Sequence, residues 1–168
     1  MKKGRYSTMK KIIAILLSVL TLCSLAACAK KQQTGSGEQI ANPFVTCQTM
    51  ADAEKLAGFS FTVPDTVEGY TGRELQAIEN QMIQAIYTNG DKSLMLRKGT
   101  GSDDISGDYN EYSEKNTVQV GELSVTMKGD NGTVSVAVWT NGGCAYAVET
   151  QDVPMSADAV SQLIAQLG

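Results

Sequence analysis

Residues 123–148 read LSVTMKGDNGTVSVAVWTNGGCAYAV, and the alternation within them decides the fold class. Leu123, Val125 and Met127 alternate with Ser124, Thr126 and Lys128. After Gly129-Asp130-Asn131-Gly132 come Val134, Val136 and Val138, and after Asn141-Gly142-Gly143 come Cys144, Tyr146 and Val148. A period of two places alternate side chains on opposite faces of a strand, and Gly/Asn-rich stretches reverse the chain. Three strands joined in this way form an antiparallel meander. The apolar face of a meander needs a cover. Downstream, Ser156 is a good N-cap and Asp158 suits the positive end of a helix dipole, while Val160, Leu163, Ile164 and Leu167 form an apolar stripe at helical spacing.

Working towards the N-terminus, Val118 and Val120 continue the alternation, and Asn89-Gly90 before Ser93-Leu94-Met95-Leu96-Arg97 is a hairpin signal. Tyr70 to Ile78 and Gln81 to Tyr87 read as two strands, with a helix over Glu74 to Ala85 as the alternative. Phe59, Phe61 and Val63 alternate up to Pro64 as a half-buried strand would. Thr49 and Asp52 have the spacing of a capping box, and Met50, Ala53, Leu56 and Ala57 share one face before Gly58, which predicts a helix over Thr49 to Ala57. The expected fold is α+β. An antiparallel meander of about six strands carries a short N-terminal helix, and a C-terminal amphipathic helix packs on one face, all within one domain over 40–168.

The first 27 residues read differently. Lys2, Lys3, Arg5, Lys10 and Lys11 precede an uncharged run from Ile12 to Ala27, as in a signal peptide. Those sixteen residues, as a helix, reach only ~24 Å, short of the ~30 Å needed to span a bilayer core. The run closes on Leu25-Ala26-Ala27-Cys28, which resembles the lipobox of bacterial lipoproteins. That resemblance implies cleavage before Cys28 and acylation of its thiol, with the protein held on the extracytoplasmic face of the cell membrane. Met9 is an alternative start. Residues 28–39 are polar and contain Gly35-Ser36-Gly37, a tether with a mean span of roughly 20 Å.

Removal of the signal takes five of the 14 Lys+Arg and none of the 18 Asp+Glu, leaving 9 − 18 = −9. Such a field disfavours nucleic acid as a partner. Cys47 and Cys144 remain as two mature thiols that could form one disulfide or stay as separate apolar side chains.

The chain contains no histidine, which removes Ser-His-Asp and Cys-His catalysis and the His-containing zinc sites. It has no CxxC pair, no GxGxxG and no Walker A loop. No catalytic residue, cofactor or metal ligand is assigned. Polar density is greatest in the loop from Lys98 to Tyr112, KGTGSDDISGDYNEY. Asp103, Asp104, Asp108, Tyr109, Asn110 and Tyr112 are its candidate binding residues. An EF-hand beginning at Asp104 would have Tyr109 in place of the glycine and Lys115 in place of the last glutamate, so the calcium pattern fails at both positions. Tyr70, Tyr87, Tyr109, Tyr112, Trp139 and Tyr146 could stack as structural pairs or form a contact surface.

The lipobox and tether, together with Asp52-Ala53-Glu54-Lys55-Leu56-Ala57-Gly58-Phe59, Val63-Pro64, Arg97-Lys98-Gly99 and Asp104-Ile105-Ser106-Gly107-Asp108-Tyr109, resemble a group of uncharacterised lipoproteins from anaerobic Gram-positive bacteria. Their globular part is similar to a domain of unknown function found behind anti-sigma-factor segments. The resemblance brings no catalytic residue, and it implies an extracytoplasmic binding or sensing module that is not an enzyme. No cytoplasmic segment follows the signal here, a departure from the anti-sigma arrangement. The partners expected are the membrane, through the lipid anchor, and an envelope protein or small ligand. Two alternatives stand beside this reading: a structural or assembly partner in the envelope, and a carboxylate-dependent wall hydrolase using Asp104 and Asp108.

Overall fold

The computed structural model describes residues 42–150 and 152–168. The expected signal peptide 1–27, the lipobox-like Leu25-Ala26-Ala27-Cys28 and the expected tether 28–39 lie outside the described residues. Among the described residues no helix is long and apolar enough to cross a membrane.

The architecture is α+β, with eight antiparallel strands rather than about six. In chain order they are β1 (Val45–Cys47), α1 (Met50–Ala57), β2 (Gly72–Ile78), β3 (Met82–Asn89), β4 (Lys92–Thr100), β5 (Glu114–Val120), β6 (Leu123–Gly129), β7 (Val136–Asn141), β8 (Cys144–Glu149) and α2 (Ala157–Ile164). The order across the sheet is β1-β2-β3-β4-β8-β7-β6-β5. Two meanders therefore meet where β4 pairs with β8. The connection from β4 to β5 must leave the middle of the sheet and reach its far edge. That connection, residues 101–113, carries the acidic loop.

Local chemistry places the helices as expected. Thr49 Oγ1 accepts from the Asp52 amide (3.1 Å), Asp52 Oδ2 accepts from the Thr49 amide (3.1 Å), and Gly58 ends α1 at φ 81°. Ser156 Oγ caps α2 on the Ala159 amide (3.2 Å). The two-strand reading of residues 70–87 holds, since Ile78 pairs with Met82 around a three-residue loop with Asn80 at φ 54°.

One face of the sheet is the core. Leu75 and Ala77 from β2, Ile83, Ala85 and Tyr87 from β3, Leu94 and Leu96 from β4 and Tyr146 and Val148 from β8 pack with Ala53, Ala57, Val160, Leu163 and Ile164 of the helices. Trp139 pairs with Tyr146 in register, their rings stacked 5.1 Å apart, and Phe61 meets Tyr146 edge-on. These aromatics are thus internal packing.

Three expectations are corrected. Phe59 to Val63 is not a strand: Phe61 is fully buried, but the segment pairs only at Thr62, whose N–H and C=O meet those of Gly168. The third meander strand starts at Val136, after Val134 has bridged to Met155. Val134 sits in the helix-covered core with Ala137 and Trp139, which breaks the period of two at Ser135 as a bulge does, so Val136 faces the other way. Lys98 is the third correction, because it belongs to β4 and not to the loop. It is 8% exposed, and its Nζ donates to the carbonyl of Ser60 (2.8 Å) beside the ring of Tyr146 (5.2 Å). Of the two states left open for Cys47 and Cys144, the structure has free thiols. They lie on strands four spacings apart, roughly 19 Å, far beyond the ~7 Å that a disulfide tolerates.

Candidate functional site

The second face of the sheet is organised by the crossover connection. Where Leu94 and Leu96 point to the helices, their neighbours Met95 and Arg97 point the opposite way, so β4 delivers a cation to this face by pleat alone. Gln76, Gln84 and Arg97 are register partners on β2, β3 and β4. They form a hydrogen-bonded row: Arg97 Nε donates to Gln84 Oε1 (3.0 Å), Gln84 Nε2 to Gln76 Oε1 (2.5 Å), and Gln76 Nε2 to Glu74 Oε1 (2.6 Å). Gln84 is 3% exposed, and this row satisfies its buried amide.

Arg97 also fastens the loop. Its Nη1 donates to the carbonyl of Ile105 (2.9 Å) and to that of Ser106. The contact demands glycine at 107, where φ is 72° and a Cβ would stand 2.7 Å from Arg97 Nη1. A Cβ on Gly99 would stand 3.2 Å from the Gln81 carbonyl oxygen, a tight approach, and in ordinary contact with Ile105 Cδ1, so the crowding there comes from the β2–β3 loop and not from the crossover loop. Ser106, 1% exposed, is the buried pivot of the segment.

The carboxylates of the loop hold its turns. Asp104 Oδ1 accepts from the Ser106 amide (2.9 Å) and hydroxyl (2.6 Å), and its Oδ2 accepts from Lys128 Nζ (2.8 Å). Burial pushes the Asp104 carboxyl up, but the hydrogen bonds from Lys128 and Ser106 outweigh it and hold the group below its ordinary range. Asp108 Oδ1 accepts from the Asn110 amide (2.7 Å) and side chain (2.8 Å), and Oδ2 accepts from the Tyr112 hydroxyl. Burial, then the hydrogen bond and charge of Asp108, push Tyr112 up to about 12. Burial also raises Glu149, which Arg97 opposes and Asp108 and Asp152 reinforce. Among the described residues no three His, Cys, Asp or Glu side chains converge as a metal site.

Between the loop and the β1–β4 half of the sheet lies an open cleft of about 550 Å³. Phe44, Ile78, Met82 and Ile105 supply its apolar walls, and Arg97, Asp104 and Asp108 its charges. Tyr109, 96% exposed, stands at the rim. The volume falls within the ~300–1,000 Å³ usual for small-ligand sites.

Of the residues singled out from sequence, Asp104, Asp108 and Tyr109 line this cleft, while Asp103, Asn110 and Tyr112 do not. Asp103 is exposed, and Asn110 and Tyr112 serve Asp108. Sequence reasoning missed Phe44, which precedes β1, and Ile78 and Met82, at the facing ends of β2 and β3, because all three are far from the loop in sequence. For Arg97 a signal existed, since a cation between Leu96 and the next core position must face away from the core.

The fold and cleft define a one-sheet α+β domain with one face under helices and the other half-covered by a crossover loop. No family model, no curated protein and no solved structure matches this chain.

Proposed function

We propose that the chain is a lipid-anchored, extracytoplasmic binding or sensing module without catalytic activity, and that the cleft beside the crossover loop is its contact site. The cleft carries the reading: apolar walls from Phe44, Ile78, Met82 and Ile105 surround a guanidinium, the combination that orients a partly apolar ligand. The chemistry of the loop supports the absence of catalysis. Without histidine, a hydrolase here would depend on Asp104 and Asp108, and both are engaged by their own neighbours. Leu25-Ala26-Ala27-Cys28 supports the anchor, and the likeness to lipoproteins of Gram-positive bacteria agrees with it.

Two measurements test the proposal. Cells fed labelled palmitate should label this chain through Cys28, and Cys28→Ala should abolish the label. The unlipidated Cys28→Ala chain should bind the neutral dye Nile red saturably, and Met82→Gln should remove that binding. A dye response indifferent to Met82→Gln would overturn the cleft as the contact site.

A second reading, assembly through a sheet edge, is favoured by β5. Its outer side has no strand partner among the described residues, and Lys115, Asn116 and Thr117 are exposed along it. Proline at Thr117 should abolish cross-linking to an envelope partner if this edge is used.

A further inference from the structure

Building on the cleft as the contact site, we infer that its ligand is an extended peptide segment carrying an apolar side chain next to a basic one. The first observation is what Arg97 already does. Its Nη1 receives two peptide carbonyls, those of Ile105 and Ser106, and Nε is taken by Gln84. Nη2 has no hydrogen-bond or ion-pair partner among the described residues, while Arg97 lines the cleft. The fork therefore offers its remaining edge to another acceptor from the cleft side.

Charge decides which acceptor. Among the described lining residues Arg97 is the only cation, against Asp104 and Asp108. Asp104 is neutralised by Lys128, at 2.8 Å. Asp108 is held only by the neutral groups of Asn110 and Tyr112, and no ion pair reaches it among the described residues. Its field is felt by its neighbours, since it raises both Tyr112 and Glu149. Over residues 42–168, seven Lys+Arg face 17 Asp+Glu, a net 7 − 17 = −10. A carboxylate or phosphate brought to Arg97 would meet that field, whereas a neutral peptide carbonyl would not. A cationic side chain finds an uncompensated carboxylate at Asp108 and the exposed ring of Tyr109 beside it.

Shape supplies the third part. The cleft is open along its outer side, so a chain can enter and leave, and Ile78, Met82, Ile105 and Phe44 form one apolar trough next to Arg97. An extended segment would lay its carbonyl on Nη2, its apolar side chain in the trough and its basic side chain against Asp108.

The test is calorimetric titration of the full chain in detergent with three blocked peptides: acetyl-Ala-Lys-Leu-Lys-Ala-amide, its Gln-Leu-Gln counterpart and its Glu-Leu-Glu counterpart. The Lys peptide should bind saturably and at least tenfold more tightly than the Glu peptide, and added salt should weaken it. Ile78→Ser should weaken Lys and Gln peptides alike by tenfold or more. Asp108→Asn, whose Oδ1 can still accept from Asn110 while its Nδ2 donates to the Tyr112 hydroxyl, should erase only the advantage of the Lys peptide. Equal or tighter binding of the Glu peptide, lost in Ile78→Ser, would overturn the ligand class and leave the cleft standing. Binding of none of the three would overturn the inference, while the cleft itself is judged separately by Nile red.

Discussion

The two faces of one sheet are built on opposite principles. On the helix-covered face, stability comes from area: Leu94, Leu96, Ile83 and Val148 are fully buried against α1 and α2, and the one cation there, Lys98, is bonded and ringed by aromatics. On the other face the same strands present Gln76, Gln84, Arg97 and Glu149, and the cover is an irregular loop held by hydrogen bonds. A helix covers a sheet by apolar contact alone, whereas a loop brings unpaired carbonyls that need donors. Arg97 supplies those donors. What the second face loses in apolar burial it gains in groups able to orient a ligand.

If that contrast is right, mutations should divide by face. The largest effect belongs to the core: Leu96→Ala should cost about 2–5 kcal/mol in urea denaturation, and Met95→Ala, its half-buried neighbour on the other face, about 1 kcal/mol. Equal losses would erase the distinction between the faces. Arg97→Met should cost about 1–3 kcal/mol, because Gln84 and the carbonyls of Ile105 and Ser106 lose their donor. Hydrogen exchange should rise at residues 105–107 and not in β8, and a uniform rise would show that Arg97 supports the whole sheet.

Acid should act on the loop face in two directions. The Asp104 carboxyl is held below its unfolded value of about 3.9, so its contribution is present above that pH and lost as pH falls through the folded value. Acid titration should therefore show a smaller loss of stability as pH falls below about 4 in Asp104→Asn than in the parent chain. Glu149 has the opposite sign. Its folded value lies above its unfolded one of about 4.3, so the ionised group costs stability at neutral pH, and the cost fades as pH falls through the folded value to the unfolded one. Thermal melts should find Glu149→Gln slightly more stable than the parent at pH 7 and equal to it near pH 4. The smallest effect is none: a reducing agent should leave Tm unchanged, and a drop on reduction would contradict free Cys47 and Cys144.

Legibility followed the same division. Periods of two and 3.6 located both helices and most strands, because a side chain's distance from water is a local property of the repeat. Where that logic failed, a non-local partner had intervened. Phe59 to Val63 alternates correctly in burial, yet it finds Gly168 instead of a strand. Val134 reads as one of three equivalent valines, and its bridge to Met155 shifts the phase. The acidic loop was visible from composition, and Asp104, Asp108 and Tyr109 do line the cleft. The apolar half of that cleft was not visible, since Phe44, Ile78 and Met82 look like any apolar residues until the fold puts them beside residues 104–109.

By itself, then, the sequence determined both helices with their caps, most of the strands and the chemistry that is absent, above all histidine. Only the tertiary structure decided that two meanders join at β4 and β8, that the acidic connection crosses a sheet face, and that Cys47 and Cys144 stay apart. The reason is physical. Alternation is written residue by residue, but the backbone hydrogen bonds that choose a strand's neighbour are identical for every sequence. The choice among neighbours falls to the packing of the whole chain.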